Sequence, residues 1–261
     1  MGHTAFQTGL VSISFRELLV GEIIHAVQAA GLDGIEWGGD VHVPHGDTIL
    51  AARVGKQTRE AGLEIAAYGS YYRFEDLMGK DGPDPDSVID TAEALGADMI
   101  RIWPGSIGSA DASAEWVSQV ADRTASLAEK SGIRGMRLGF EFHDHSLTDS
   151  AESTLNLLLE IGNVSVTTFW QPYLHTTEAD REKSLRQVLP HLSNLHVNFF
   201  GDHGWPDVQP LKTGQAAWQK YLEIVQSGGR SHWLTIEHVA GHSLDQFSED
   251  AAVLKGLCDS L

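Results

Sequence analysis

The chain has 261 residues, 42% hydrophobic and 21% charged, with a formal net charge of −18 and one cysteine, Cys258. Such an acidic surface repels phosphate backbones and argues against a nucleic-acid partner, while a lone thiol excludes an internal disulfide and any cysteine-based zinc site. No run of about 18 apolar residues and no basic leader followed by an apolar stretch occurs, so neither a membrane span nor a signal peptide is expected, and the expected location is the cytoplasm.

Taken in order, the chain repeats one unit. A first strand is expected over residues 8–14. Helix-like segments then end at Gly31, Gly62, Gly96, Gly132, Gly162 and Gly228. Strand-like runs follow them at residues 34–37, 63–68, 99–103, 136–140, 164–169 and 232–236. Glycine just past a helix takes the left-handed backbone that strains other residues. The spacings are 31, 34, 36, 30 and 66 residues, and the last is two units of 33. The hidden strand is residues 194–199, which brings the count to eight. The intervening segments carry amphipathic stripes, among them Leu185, Val188, Leu189 and Leu192, and Leu155, Leu158 and Leu159. Strand and helix alternating at this period imply parallel βαβ units. Eight of them in a single 1–261 domain match an α/β fold of the (β/α)8 TIM-barrel type. A doubly wound open sheet fits less well, because no Gly-x-Gly-x-x-Gly follows the first strand.

The longest non-helical stretches follow strand ends, at residues 38–46, 69–85, 104–112 and 200–214. In a barrel these are loops of the face that carries active sites. The candidate substrate contacts on or beside such loops are Trp37, His42, Tyr71, Trp103, His143 and His175. Aromatic and imidazole groups suit a small polar ligand with apolar faces, such as a sugar, and loop packing is the alternative role of each. Arg101, at the end of strand four, either holds a hydroxylated or anionic group or forms a structural ion pair.

Four neighbouring strand ends concentrate the chemistry. Glu141 ends strand five with His143 just beyond it, Gln171 ends strand six, His196 lies in strand seven, and Glu237 ends strand eight with His238 after it. Carboxylate, amide oxygen, imidazole and carboxylate suit Mn²⁺, Mg²⁺, Co²⁺ or Zn²⁺. Two glutamates beside a neutral histidine and a neutral glutamine balance one divalent ion.

Four motifs carry a family resemblance: Phe140-Glu-Phe-His143 with Leu147-Thr-Asp149, Phe169-Trp-Gln-Pro172, Leu195-His-Val197, and Pro210-Leu-Lys-Thr-Gly214. They resemble the xylose-isomerase-like barrels, the sugar phosphate isomerase/epimerase group of the AP endonuclease family 2 superfamily, over nearly the whole chain. The resemblance implies one divalent ion, manganese first among the candidates, held by Glu141, Gln171, His196 and Glu237. It also makes Glu141 and Glu237 the catalytic acid–base pair. Gln171 stands where many members have Asp. The implied activity is a keto-sugar isomerase or epimerase that moves a proton next to a carbonyl through an enediolate. A lyase or dehydratase on the same site is the alternative. An endonuclease, opposed by the charge of −18, and a non-catalytic binding barrel come after it. The expected partner is a small sugar, with homo-oligomer formation left open.

Overall fold

The computed structural model of the protein describes residues 6–74, 83–174, 176–204 and 206–261. One candidate substrate contact, His175, lies outside the described residues. Eight parallel strands pair in chain order and close into a barrel: β1 (Gln7–Val11), β2 (Gly34–Gly38), β3 (Glu64–Arg73), β4 (Met99–Trp103), β5 (Arg137–Phe140), β6 (Val166–Trp170), β7 (Leu192–Val197) and β8 (Trp233–Ile236). Between and after them run α1 (Val20–Ala30), α2 (Thr48–Glu60), α3 (Pro85–Leu95), α4 (Ala114–Ile133), α5 (Ala151–Ile161), α6 (Glu178–Val188), α7 (Gln215–Gln226) and α8 (Leu244–Asp259). The chain is thus a (β/α)8 TIM barrel. No helix among the described residues is long and apolar enough to cross a membrane.

The punctuation is local chemistry. Gly31, Gly62, Gly96 and Gly162 do take positive φ at or just past helix ends. After α4 and α7 the left-handed residues are Gly135 and Gly229, not Gly132 and Gly228, because both helical stretches run on before reversing. Starts are capped by side chains: Asp47, Asp84, Ser113 and Ser150 each accept a backbone N–H three residues on.

Several expected boundaries shift. β1 stops at Val11, since Ser12–Phe15 curl into a 3-10 turn. Leu192 begins β7 and belongs to a strand, not to the preceding helical stripe. Leu159 is 80% exposed, because α5 buries Thr154, Leu157, Leu158 and Ile161 instead. A hydrophobic leucine run widened the apparent stripe past the face that packs.

Alternation along the strands sorts the side chains into two cores. Outward residues such as Ile35, Trp37 and Tyr68 fill the large layer between barrel and helices. The lumen holds a small apolar cluster of Ala67, Met99 and Phe169. Gly139 makes room for it: a β-carbon there would fall 2.5 Å from the Phe169 ring. Beyond this plug, toward the carboxyl ends of the strands, the lumen turns polar with Glu36, Arg101 and His196, all buried.

Candidate active site

Glu141 and Glu237 follow the last residues of β5 and β8, and His196 sits inside β7. One ligand-capable atom from each lies within 4.8 Å of the other two, and all three residues are buried. His196 Nδ1 is 3.1 Å from Glu237 Oε2 and 3.8 Å from Glu141 Oε1. Neighbouring donors about 2.1 Å from a shared ion stand roughly 3.0–3.4 Å apart, so the spacing suits one ion. The Nδ1 atom is buried and makes no hydrogen bond, which suits a position that a metal would fill on displacing the proton there.

Beneath these three residues lies a charged ring. Arg101 Nε donates to Glu36 Oε1 at 2.6 Å, and its Nη1 donates to Glu141 Oε2. Trp103 Nε1 donates to the same Glu141 oxygen. Glu36 Oε2 lies 3.2 Å from His196 Nε2. Gly69 accommodates the ring, since a β-carbon there would meet Arg101 Nη2 at 2.7 Å and Glu36 Oε1 at 3.0 Å. Three carboxylates, one guanidinium and a neutral imidazole sum to −2. Glu36 and Arg101 cancel, so the balance still matches one divalent ion.

The expected fourth ligand is presented differently. Gln171 Nε2 donates to Glu141 Oε1 at 3.3 Å and to the Phe142 carbonyl at 2.9 Å, while its oxygen accepts from Asn198 Nδ2 at 3.1 Å. The amide therefore turns its nitrogen, not its oxygen, toward the cluster.

The structure separates the expected substrate contacts into two groups. Trp103 and His143 meet at the mouth as tilted rings with centroids 5.4 Å apart, and Tyr71 meets Trp103 edge-on at 5.0 Å. A register shift between Gly69 and Tyr72 in the β3–β4 pairing inserts Tyr71, at φ 55°, over Arg101. The others are corrected. Trp37 is fully buried and donates to Thr58 Oγ1 of α2, so it faces the helix layer. His42 is also buried, with Nδ1 on Ser12 Oγ and Nε2 on the Leu18 carbonyl. Arg101 is 1% exposed and held between Glu36 and Glu141, so of its two expected roles the ion pair is the one formed.

A cavity of about 320 Å³ opens above the ligands, lined by Glu141, Gln171 and Glu237, by the imidazoles of His143 and His238, and by Phe142, Tyr173 and Phe200. His238 has φ 64°, a strained position for a residue with a β-carbon, and its N–H donates to Ser14 Oγ at 3.0 Å. Its Nε2 is 3.7 Å from Glu237 Oε2. Burial lowers its pKa against the opposing pull of Glu237, which keeps the ring neutral near pH 7. Neither His238 nor Glu36 stands among the site residues expected from the sequence. The signal for Glu36 was a lone carboxylate in the apolar strand Gly34–Gly38, which needs a buried cation.

Burial alone would strip the second proton from His196. The carboxylates of Glu237 and Glu36 outweigh it and push the pKa up to about 10 in the metal-free site. A metal must displace that proton. Divalent-ion affinity should therefore rise about tenfold per pH unit below that pKa, and binding should release one proton near neutrality. Mn²⁺ calorimetry in buffers of different ionisation enthalpy checks both; a flat affinity from about pH 6.5 to 8.5 contradicts the charged imidazole.

Comparison with known proteins agrees with this architecture. The xylose isomerase-like TIM barrel family model matches residues 24–257. A 3-dehydroshikimate dehydratase of Bacillus anthracis is 27% identical over 205 residues, which is 72% of this chain and 69% of that protein. A crystal structure described as a "probable 3-DHS dehydratase" involved in petrobactin synthesis, also from Bacillus anthracis, aligns with a TM-score of 0.81 at 22% identity, over 96% of this chain and 99% of that one. A xylose isomerase-like TIM barrel protein of Mycobacterium smegmatis, solved with magnesium, gives 0.73 at 15% identity over 100% and 99%. D-allulose 3-epimerase from Methylomonas sp. gives 0.70 at 14% identity over 98% of each. At these identities the structural matches speak for the fold. Together with the family match, they lead to one conclusion: the chain belongs to the xylose isomerase-like TIM barrel family of enzymes.

Proposed function

We propose that the protein is a divalent-ion-dependent lyase that dehydrates a small β-hydroxy carbonyl compound, beginning with proton removal next to the carbonyl. The observation that carries this reading is the inequality of the two glutamates. An epimerase needs a competent base on each face of the substrate carbon. Here Glu141 already accepts from Arg101, Trp103 and Gln171, so three of its roughly four acceptor positions are taken and the remaining one is the one an ion would use. Two imidazoles line the same cavity and are the better proton carriers.

The residues then divide the work. Glu141, His196 and Glu237 would hold the ion, which when bound offsets negative charge developing on the substrate oxygen. His238, neutral before reaction, takes the proton, and Glu237 beside it steadies the resulting imidazolium. The proton taken by His238 leaves with the departing hydroxyl as water, which restores the neutral ring, while His143, its Nδ1–H held by the Asp144 carbonyl at 2.7 Å, presents the Nε2 lone pair as an acceptor that orients a substrate hydroxyl. Trp103, Tyr71, Phe142 and Phe200 offer apolar faces and exclude water. The dehydratase relative supports the same direction.

An epimerase remains the second reading, favoured by carboxylates from both β5 and β8 at one cavity. Incubation of Mn²⁺-replenished protein in deuterated water, with 3-dehydroshikimate and a panel of keto-sugars, separates the two. The lyase reading expects α-proton exchange together with an unsaturated product absorbing in the ultraviolet. Exchange that yields only an epimer overturns it.

A further inference from the structure

A neutral histidine carries one N–H, and His196 has neighbours that want different things at its two nitrogens. Glu36 Oε2 lies 3.2 Å from Nε2, whereas Nδ1 faces Glu237 and Glu141 without a hydrogen bond. A proton on Nε2 donates to Glu36 and leaves the Nδ1 lone pair pointing at the two ligand carboxylates. A proton on Nδ1 would instead set the Nε2 lone pair against an anion. Glu36 cannot turn away to relieve that conflict, because its other oxygen is held by Arg101 Nε at 2.6 Å, and Arg101 is held in turn by Glu141. Glu36 itself is fully buried, so no water replaces it.

We propose that Glu36 is the positioning residue that selects which nitrogen of His196 faces the ligand carboxylates, and thereby sets the affinity of the site for a divalent ion. This rests on the metal reading above. The linkage is a closed path: Glu36 touches one ligand directly through His196 and a second through Arg101 and Glu141. A carboxylate behind a ligating imidazole raises its basicity and locks its orientation, and losing such a partner commonly costs 10- to 100-fold in metal affinity. The competing role is purely structural, an ion pair that ties β2 to β4 and contributes nothing at the metal.

Glu36→Gln discriminates between them. The amide has one oxygen for two donors. If the oxygen stays on Arg101, the NH₂ faces His196 Nε2 and favours the proton on Nδ1. If it turns to His196, the NH₂ faces Arg101 Nε donor to donor. Either arrangement loosens the choice of nitrogen. The test is Mn²⁺ calorimetry on metal-stripped wild type and Glu36→Gln, with folding checked by circular dichroism, and ¹⁵N-histidine NMR of Zn²⁺-loaded wild type. The expected results are a roughly 10- to 100-fold weaker Kd in the variant and, in wild type, a proton on Nε2 with Nδ1 bound to zinc. A folded variant with Kd within about twofold of wild type leaves Glu36 the structural role alone and overturns the proposal. Zinc on Nε2 overturns it without any variant, which decides the matter should Glu36→Gln fail to fold. Wild type that binds neither ion defeats the metal reading itself, a different and recognisable failure.

Discussion

Glu141→Gln is expected to weaken Mn²⁺ binding by roughly 10²–10³-fold, more than a substitution that keeps a ligating oxygen normally would. The reason is the neighbourhood of that oxygen. Arg101 Nη1, Trp103 Nε1 and Gln171 Nε2 all donate to the Glu141 carboxylate. An amide offers one acceptor, so at least one donor meets an NH₂ group. Arg101, 1% exposed, also loses one of its two anionic partners. Removing one member of a buried ion pair costs about 3–5 kcal/mol, mostly because the remaining charge is stranded. Glu237, whose close ionic neighbours among the described residues are His196 and His238, should lose less as Glu237→Gln. Calorimetric titration of both variants reads the difference. Glu141→Gln within tenfold of wild type, or weaker loss there than at Glu237→Gln, would remove the buried ring from the account of metal affinity.

His238→Gly is expected to lower kcat by roughly 10²–10⁴-fold while leaving metal affinity near wild type. It should also leave thermal stability unchanged or slightly raised. The backbone at His238 has φ 64°, where glycine is unstrained and a β-carbon costs on the order of 1 kcal/mol. Its N–H to Ser14 Oγ survives the substitution. What disappears is the imidazole beside Glu237 and the tilted ring contact with Phe200 at 5.8 Å. Added imidazole should restore part of the rate, as it would for a missing proton carrier and not for a misfolded mouth. The same residue predicts that turnover of wild type falls toward acid pH, where the ring takes up its proton before reaction, with the fall displaced below the range of an ordinary histidine because burial lowers its pKa. Full activity in His238→Gly would move the proton transfer to His143 or to the glutamates.

The fold was legible because its punctuation is chemical. Glycines at helix ends and buried runs after them recur at one period, and neither depends on distant contacts. Boundaries were less legible where tertiary packing decides, as at Leu192, which the strand claims, and Leu159, which solvent claims. Glu141, His196 and Glu237 were visible as polar residues closing or interrupting apolar strands. Which way a side chain points was harder. Trp37 sits at a strand end like Trp103, yet alternation sends it outward while Glu36 turns into the lumen. The sense of the Gln171 amide depends on Asn198 and Phe142, contacts with the two adjacent strand ends that no local spacing announces.

The apolar plug of Ala67, Met99 and Phe169 fills the lumen below the charged ring. Phe169 lies edge-on to His196, with centroids 5.4 Å apart, and closes the floor beneath it. Among the described residues the plug stands between the charged ring and the amino-terminal end of the strands. A hydron that reaches Glu36, Arg101 or His196 from the mouth passes the same throat as the ligand. A molecule seated there acts as a stopper, and the N–H groups of the ring should trade with deuterated solvent far more slowly when the throat is filled than when it stands open.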